Sequence, residues 1–398
     1  MLSRKSNQTT SVLISVCITN LFIYLFFIAL SGCRKEAQDS PVPTLTQKNK
    51  FDATLTKNTL AQTSAYNIVS SLPKHYVQDG SVDYTTYLAA AIKNNSNITF
   101  PAFPILINSN GLIIPSNRVL TFLPGSQLIM KPSSDGNYCV LRIQSASNVV
   151  LNNPVIVGDL PQHIGTAGEW GDGIGIYYSS NITINSPTVS YCWGDGIYLS
   201  STKNGVVNTN ITIVNANITN NRRNGITVSS VIGLDMESPV VSYSGGTSPM
   251  CAIDIEPQGP TDELQNIVIN NPNTGHDGGN GIQVGYSKLY GGSNKKTSIT
   301  INNPIDKKSL IGFKSSANFS RRVGNETITG TLAINNPVWR ENPTSAIIES
   351  NYEPNIKMIV VKPSIENVSG VYISQQAILS LFGDLHYILV GSNYSLTF

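Results

Sequence analysis

The chain has 398 residues, and its 26 lysines and arginines nearly balance its 24 aspartates and glutamates, leaving a formal net charge of +2. This balance gives no electrostatic reason to expect a nucleic-acid partner. Charged residues make up only 13% of the chain, about half of the usual ~25%, so its polar surface must be mostly Asn, Ser and Thr. Helical surfaces usually use Glu, Lys and Arg instead. The composition therefore favours an all-β protein.

The first 32 residues have the pattern of an export signal. Arg4 and Lys5 precede an apolar stretch over 12–30, and small residues then lead to Cys33, as in secretory signals. The string Leu-Ser-Gly-Cys at 30–33 resembles the lipobox of bacterial lipoproteins. The resemblance implies a signal peptide over 1–32, lipid on Cys33 as a membrane anchor, and export to the outer membrane or cell surface. An uncleaved membrane anchor is the alternative, since the apolar stretch is nearly long enough to span a bilayer.

The rest of the chain divides into a tether, a body and an end segment. Residues 33–50 are polar and proline-containing, which predicts a tether. The body runs over 51–372, and the apolar runs of 373–398 lack the repeat described below and predict a C-terminal cap. The body contains Cys139, Cys192 and Cys251, an odd number without metal-site spacing. We expect these cysteines to be buried apolar filler.

The body is a repeat. An apolar residue followed by Asn-Asn-Pro, or a close variant, recurs with steps between prolines of 33, 52, 33, 32 and 33 residues. The step of 52 divides into 30 and 22 at a copy in which an asparagine replaces the proline. A string such as Asn-Ile-Thr-Ile lies just upstream in several copies and alternates as a strand does. The copies end at Pro154, Pro187, Asn217, Pro239, Pro272, Pro304 and Pro337.

Each unit of 22 to 33 residues holds two or three short strands joined by Asn, Gly and Pro turns. A propeller blade needs about 40–50 residues, and a sandwich does not repeat its strand types at a fixed period. A solenoid fits best, because stacked coils form parallel sheets with strands ~4.8 Å apart. Asparagines at the same corner of each coil can then form a hydrogen-bonded ladder. The sequence therefore predicts an all-β, single-stranded parallel β-helix.

The segment before the repeats predicts a cap. A capped helix is expected over 83–92, with strands over 97–101, 111–115 and 119–128. This order resembles the start of the pectate-lyase and polygalacturonase superfamily of right-handed parallel β-helices, in which a helix caps the first coil. The resemblance covers roughly residues 73–365 and implies the fold. It does not imply one reaction, since the superfamily contains lyases, hydrolases, epimerases and non-catalytic spikes, and its polygalacturonase signatures are not found here as a set.

A third string aligns the coils and predicts which side chains face outward. Isoleucines at 174, 197, 226, 253 and 282 share one register and should face the core. The next row, which includes Tyr198 and Asp254, and the row of Glu256 should then face outward. Asp254 and Glu256 are two residues apart, so their Cα atoms are about 6.5–7 Å apart. That separation lets the carboxyls reach both spacings used in glycoside hydrolysis. The alternative is a pair of solvated charges beside a turn.

Asp172 and Asp195 occupy one corner, just before a glycine, on neighbouring coils. Asp before Gly is a common turn residue, and this structural interpretation is favoured. The functional alternative is catalysis or a calcium site, since stacked carboxylates suit a hard cation.

The positions just before this corner carry aromatic and basic residues. Trp170, Trp193 and Arg222 fall in one row, and Arg223 in the next. Two tryptophans stacked on an arginine would form a platform for sugar rings, with a cation for a carboxylate or sulfate. The alternative is a stack that only seals the side of the solenoid. The remaining candidate substrate-binding residues at nearby register are Glu169, His276 and Asp277.

Three functions follow from these residues. The first is a surface-anchored polysaccharide-degrading enzyme, with hydrolysis by Asp254 and Glu256 slightly favoured and Asp195 as a further candidate. In the second, a lyase or C5-epimerase acts on a uronic acid with Arg222 or Arg223 as base, a role that arginine has in lyases of the superfamily it resembles. No cofactor is required for hydrolysis, and a lyase would use Ca²⁺. The third is a non-catalytic glycan-binding lipoprotein. The expected partners are a polysaccharide, neutral or acidic, and a membrane, with no nucleic acid.

Overall fold

The computed structural model describes residues 64–317, 322–350, 355–384 and 394–397. Within these ranges, short strands wind into a solenoid with three parallel sheets, named sheets 1, 2 and 3 in the order in which each coil visits them. Each strand pairs in parallel with the equivalent strand of the next coil, as Ile182 does with Ile211. The predicted all-β parallel β-helix is confirmed. The predicted signal peptide, the lipidated Cys33 and the tether lie outside the described residues.

The three sheets are built from short strands. Sheet 1 contains Tyr66–Asn67, Asn97–Phe100, Arg118–Phe122, Ser147–Asn152, Ser180–Asn185, Asn208–Val214, Val231–Glu237, Leu264–Asn270, Lys295–Asn302, Ile328–Asn335, Ile356–Val361 and Tyr394–Thr397. Sheet 2 contains Pro104–Ile107, Gln127–Met130, Val155–Val157, Thr188–Ser190, Asn217–Thr219, Val240–Ser242, Asn273–Gly275, Ile305–Lys307, Val338–Arg340 and Ser364–Glu366. Sheet 3 contains Leu112–Ile114, Asn137–Gln144, Trp170–Tyr177, Ile197–Leu199, Ile226–Val228, Ile253–Ile255, Asn280–Gly285, Ile311–Ser316 and Ser345–Ser350.

In the described ranges, two α-helices accompany the sheets. Helix α1 spans Thr85–Asn94, two residues later than predicted, and buries Leu88 and Ile92 in the core. Helix α2 spans Gln375–Asp384 in the segment predicted as the C-terminal cap. Single 3₁₀ turns are found at Ile68–Ser71, Leu160–Gln162 and Ser287–Leu289. In the described part of the chain, no helix is both long enough and apolar enough to cross a membrane.

The core is a stack of aliphatic rows that run along the solenoid axis. In sheet 3, the predicted isoleucine row is paired residue by residue from Ile174 through Ile197, Ile226 and Ile253 to Ile282. Each of these side chains is at most 3% exposed. The three cysteines of the body are also buried and carry free thiols, as expected for apolar filler. The register that fixes this row also fixes which residues face outward.

The asparagines of the repeated string form the predicted ladder. The first Asn of each Asn-Asn-Pro ends a strand of sheet 1, and the second takes a left-handed conformation at the corner, with φ of 52°, 51° and 52° at Asn271, Asn303 and Asn336. Asn is among the non-glycine residues that adopt this conformation most readily. The side-chain amide of Asn303 donates to Asn271 at 2.9 Å, and that of Asn336 donates to Asn303 at 2.9 Å. The ladder explains why the string recurs once per coil.

Candidate functional site

The outer face of sheet 3 carries a row of outward positions, one on each strand, of which six consecutive ones concern the site. The register extends the predicted row upstream to Arg142 and confirms its order through consecutive strand pairs. The row reads Arg142, Gly175, Tyr198, Thr227, Asp254 and Gln283. Candidate chemistry therefore lies on this face, between the corner with sheet 2 and the corner with sheet 1.

Asp254 faces away from the core but has no exposed surface. The side-chain amide of Asn224 donates to Asp254 Oδ2 at 3.1 Å, and that of Gln283 donates to Oδ1 at 3.1 Å. Gln283 is held in turn by the amide of Asn280 at 2.7 Å. Asp254 lies in the predicted outward row, but the alternative of a solvated charge is wrong for it, because amides from the coils on either side close over it.

Burial changes the protonation of Asp254. Removal from water and, to a smaller extent, the nearby charge of Glu256 raise the pKa of this carboxyl to about 7, against the opposing effect of Arg223. Desolvation and a neighbouring like charge both disfavour the ionised form of a carboxyl. Asp254 is therefore a proton-holding group near neutral pH.

Glu256 lies two residues further along the strand and is accessible. Its side chain is 30% exposed and lies 3.7 Å from the ammonium of Lys288. It lines a shallow pocket of about 200 Å³ whose other walls include Gln283, Lys288 and Ser316. Gln283 therefore stands between this pocket and the carboxyl of Asp254. The predicted pair of acids consists of one accessible carboxylate and one covered carboxyl.

Arg223 and Asp195 form a buried ion pair at the corner with sheet 2. One terminal nitrogen of Arg223 donates to both oxygens of Asp195, at 2.8 and 3.1 Å, and Glu169 lies 4.0 Å from its Nε. Burial would lower the pKa of Arg223, but Asp195 and Asp254 together raise it above its ordinary value. A guanidinium held this way is a poor proton acceptor, so the geometry does not support Arg223 as the base of a lyase.

Asp172 and Asp195 belong to a ladder of side-chain oxygens and backbone amides. The backbone N–H of Asp195 donates to Asp172 at 3.1 Å, that of Asn224 donates to Asp195 at 3.0 Å, and that of Cys251 donates to Asn224 at 2.9 Å. This is the structural, turn-forming role favoured from sequence. Burial, followed by the charge of Asp195, raises the pKa of Asp172 to about 8.

The same contacts decide the fit of a metal at this corner. The guanidinium of Arg223 already occupies the cation position beside Asp195, and the described residues contain no group of three or more His, Cys, Asp or Glu side chains arranged around a common point. Asp172 and Asp195 therefore do not fit the calcium site that was considered for them.

Trp193 is covered on both ring faces. The ring of His163 stacks on one face at 3.7 Å between centroids, and the guanidinium of Arg222 lies 3.8 Å from the ring centroid on Trp193. Arg222 also donates to the carbonyls of Gly168 and Trp193, at 2.9 and 3.3 Å. The predicted stack of two tryptophans is wrong, because the loop before Trp170 brings a histidine into the place expected for its ring. Trp193 and Arg222 therefore hold this loop in place. Neither face of the Trp193 ring remains free for a sugar.

Trp170 and Tyr198 have separate surroundings. Trp170 is 51% exposed and remains available to a ligand. Tyr198 is half-buried, and its ring centroid lies 5.9 Å from that of Tyr177. Tyr177 folds back over Gly175, where an added Cβ would lie 2.3 Å from the tyrosine ring, and the guanidinium of Arg142 lies 4.8 Å from the centroid of that ring.

The sequence contained a signal for the cluster formed by Tyr177, Tyr198 and Arg142. A glycine in a row of outward side chains leaves a gap that a neighbouring side chain can fill, and Arg142 is found by extending the register one coil upstream. Burial raises the pKa of Tyr198 to about 12, so its phenol is a neutral hydrogen-bonding group at physiological pH.

His276 and Asp277 lie at the turn from sheet 2 to sheet 3 and serve different purposes. His276 is exposed and stacks on Tyr243 at 5.0 Å between ring centroids. Asp277 is buried, accepts the backbone N–H of Ser244 at 2.8 Å and contacts the hydroxyl of Ser309 at 3.1 Å. Asp277 thus fixes the corner and does not line a substrate groove, which corrects the expectation from sequence.

The contacts of Asp277 predict an inverse pH dependence of stability. Ser309 Oγ lies 3.1 Å from Asp277 and 2.7 Å from Asp306, but a hydroxyl has one proton, so one of the two carboxyls must donate. Burial raises the pKa of Asp277 to about 8. The folded protein therefore prefers the protonated form of Asp277. The contribution of this proton to the free energy of unfolding is full below pH ~4 and is lost as the pH rises to about 8.

Asp277→Asn should remove this loss, because its amide can donate to Ser309 as the protonated acid does. Relative to the wild type, we expect the variant to gain about 2 kcal/mol of unfolding free energy between pH 6 and pH 8. Urea unfolding at both pH values measures the difference. Parallel changes in the two proteins would contradict the assignment of the proton to Asp277.

Comparisons with known proteins support the fold. The sequence matches no protein-family model. It is 30% identical over 167 residues to the SPbeta prophage-derived protein YorA of Bacillus subtilis, which covers 37% of this chain and 28% of YorA, so the match spans less than a third of that relative.

Two solved structures illustrate the structural likeness. The A-module of mannuronan C-5 epimerase AlgE4 from Azotobacter vinelandii has a TM-score of 0.53 at 14% identity, over 77% of this chain and 89% of that one. A tailspike protein of E. coli bacteriophage HK620 has a TM-score of 0.56 at 13% identity, over 77% of this chain and 58% of that one. These similarities place the chain among parallel β-helix structures.

Proposed function

We propose that this protein cleaves glycosidic bonds in a polysaccharide that binds across the outer face of sheet 3, with Glu256 as the carboxylate that contacts the substrate. One observation carries the proposal: an accessible carboxylate lines a pocket two residues from a covered carboxyl whose pKa is raised to about 7. A protonated acid beside a second carboxylate is the arrangement used for glycoside hydrolysis.

The two carboxyls have different roles in this proposal. Asp254 holds the proton for the leaving-group oxygen, and Glu256 acts on the sugar as nucleophile or as base toward water. For Asp254 to contact the substrate, Gln283 has to move from its position between the carboxyl and the pocket. The Cα atoms of the two acids are about 6.5–7 Å apart, which is compatible with both the retaining and the inverting arrangement.

The structural neighbours support a polysaccharide substrate. The epimerase module with this fold acts on mannuronan, as its name states. Lyase or epimerase chemistry with an arginine base has weaker support here, since Arg223 is ion-paired and Arg222 covers Trp193. Attachment to the outer membrane or cell surface through lipid on Cys33 remains part of the proposal and is tested by metabolic labelling with a palmitate analogue.

The reaction is tested by incubating the full chain with a panel of neutral and acidic polysaccharides, with calcium or with a chelator. New reducing ends and the ultraviolet absorbance of an unsaturated uronic product are measured together. Reducing ends without absorbance are the expected result. Both signals together would identify a lyase and overturn the hydrolytic assignment. Binding without new ends on any substrate would instead identify a glycan-binding protein.

A further inference from the structure

A second pocket lies at the corner where the chain passes from sheet 3 to sheet 1. Its volume is about 470 Å³, and its walls include the serines at 145, 147 and 180 together with Tyr178, Lys203 and Asn204. Along the solenoid axis, three coil steps separate the row position of Tyr177 from that of Glu256, a distance of roughly 14 Å. The pocket therefore lies on the same edge of sheet 3 as Glu256 and apart from it.

The polar groups of this corner pocket include the ammonium of Lys203 and several hydroxyls. None of its lining residues is an aspartate or a glutamate. Among the described residues, no carboxylate lies within 4.0 Å of the Lys203 ammonium, whereas Lys288, Lys295, Lys307 and Lys308 are each ion-paired. The Lys203 ammonium lies 5.9 Å from the centroid of the Tyr178 ring. A cation beside a ring and several hydroxyls suits a sugar that bears a negative charge.

Lys203 is an exposed residue whose backbone belongs to a short hairpin. Lys203 and Val206 form an antiparallel bridge, and the backbone N–H of the adjacent Thr202 donates to Asp262 at 2.7 Å. Asp262 is fully buried and also accepts the backbone N–H groups of Gln258 and Gly259, at 2.7 and 2.8 Å. The hairpin is thus anchored to the loop that follows Glu256, which links the two pockets physically.

Tyr178 adopts a conformation that its residue type disfavours. Its φ is 53°, in the left-handed region where bulky residues are uncommon and Asn is well tolerated. The chain uses Asn at left-handed positions nearby, including Asn181 and Asn210. The tyrosine places a half-buried ring in the pocket wall, 6.3 Å from the ring of Tyr177. The ring of Tyr178 therefore forms part of the pocket wall at a backbone position that Asn could also occupy.

We propose that this corner pocket binds an anionic sugar residue of the polysaccharide, with Lys203 facing the carboxylate or sulfate and Tyr178 packing against the sugar ring. The inference rests on the proposed function for its biological context, since it assigns the substrate to the acidic class. It adds a recognition site that is distinct from the carboxyl pair.

The test is isothermal titration calorimetry with full-chain Glu256→Gln, used to suppress turnover. The ligands are an oligouronate, its carboxyl-reduced neutral form, and that neutral form after sulfation. We expect the oligouronate or the sulfated oligomer to bind at least ten-fold more tightly than the neutral one, and the stronger of the two identifies the anion. Lys203→Gln in the same background should abolish this preference and leave the neutral ligand unaffected. The control is Lys296→Gln, which replaces an exposed lysine on the outer face of sheet 1. It should change neither the preference for the anionic ligand nor the affinity for the neutral one.

Tyr178→Asn separates binding from folding. Because Asn tolerates the left-handed conformation, the variant should unfold at the same temperature as its parent or higher, while its affinity for the anionic oligomer falls about ten-fold. Equal affinity for neutral and anionic ligands, or an unchanged preference in Lys203→Gln, would overturn the inference even if neutral polysaccharides are cleaved. Lys203-dependent binding with no cleavage by the wild type would instead overturn the proposed hydrolysis and leave the pocket assignment standing.

Discussion

Glu256→Gln is expected to lower the rate of polysaccharide cleavage about 10²–10⁴-fold, the range usual for a positioned acid–base group. The substitution keeps the shape of the side chain and removes the charge that the proposal places against the sugar. Because the amide still fills the same wall of the pocket, KM should change little while kcat falls. Initial rates of reducing-end formation over a range of substrate concentrations measure both constants.

The matched control is Asp235→Asn, which removes an exposed carboxylate from the outer face of sheet 1 and should leave the rate unchanged. Asp254→Asn should also lower kcat and should remove the alkaline limb from the pH profile of the wild type, because the wild type loses activity as Asp254 is deprotonated above about pH 7. Full activity in Glu256→Gln together with loss of activity in Glu169→Gln would place the chemistry near Arg223 and contradict the proposal.

The coil architecture was predictable because the repeat carries its own register. The Asn-Asn-Pro string marks the same corner in each coil, and the isoleucine row aligns the strands of sheet 3 without any knowledge of tertiary structure. Both follow from local rules, namely the left-handed preference of Asn and the alternation of side chains along a strand. The positions of Asp254, Tyr198 and Gln283 in one outward row follow from the same alignment.

The accessibility of Asp254 was not predictable from that alignment. A row assigns a side chain to a face of the sheet, but coils are only ~4.8 Å apart, so side chains from neighbouring coils can close over it. The amides of Asn224 and Gln283 do so here. Outward and exposed are therefore different properties in a solenoid, and only the first can be derived from periodicity.

Inserted loops account for the incorrect tryptophan platform. The segment between the 3₁₀ turn at Leu160–Gln162 and Trp170 is longer than a standard turn and does not follow the repeat. It stacks the ring of His163 on that of Trp193. The carboxylate of the buried Asp159 lies 2.9 Å from Nδ1 of this histidine and holds it by a hydrogen bond. No period in the sequence encodes this contact, because it depends on the path of a non-repeating loop.

Replacement of Arg223 by methionine is expected to destabilise the fold by about 3–5 kcal/mol at neutral to alkaline pH, the usual cost of removing one partner of a buried ion pair. The side chain of Asp195 is 2% exposed and would lose the donor at 2.8 Å. Burial already raises the pKa of Asp195, and Arg223 opposes that rise. Without the arginine, the pKa of this carboxyl rises further, so the folded state favours its protonated form more strongly.

The sign of the pH effect distinguishes this mechanism from lost packing. A carboxyl with a raised pKa in the folded state contributes full stability at low pH and loses it as the pH rises through that pKa. The defect of Arg223→Met should therefore be small near pH 5 and large near pH 8, as measured by urea unfolding. The double variant Arg223→Met with Asp195→Asn should recover most of the loss at pH 8, since position 195 then no longer carries a buried charge. A defect of equal size at both pH values, with no rescue by the second substitution, would show that Arg223 stabilises the corner by packing instead of by charge.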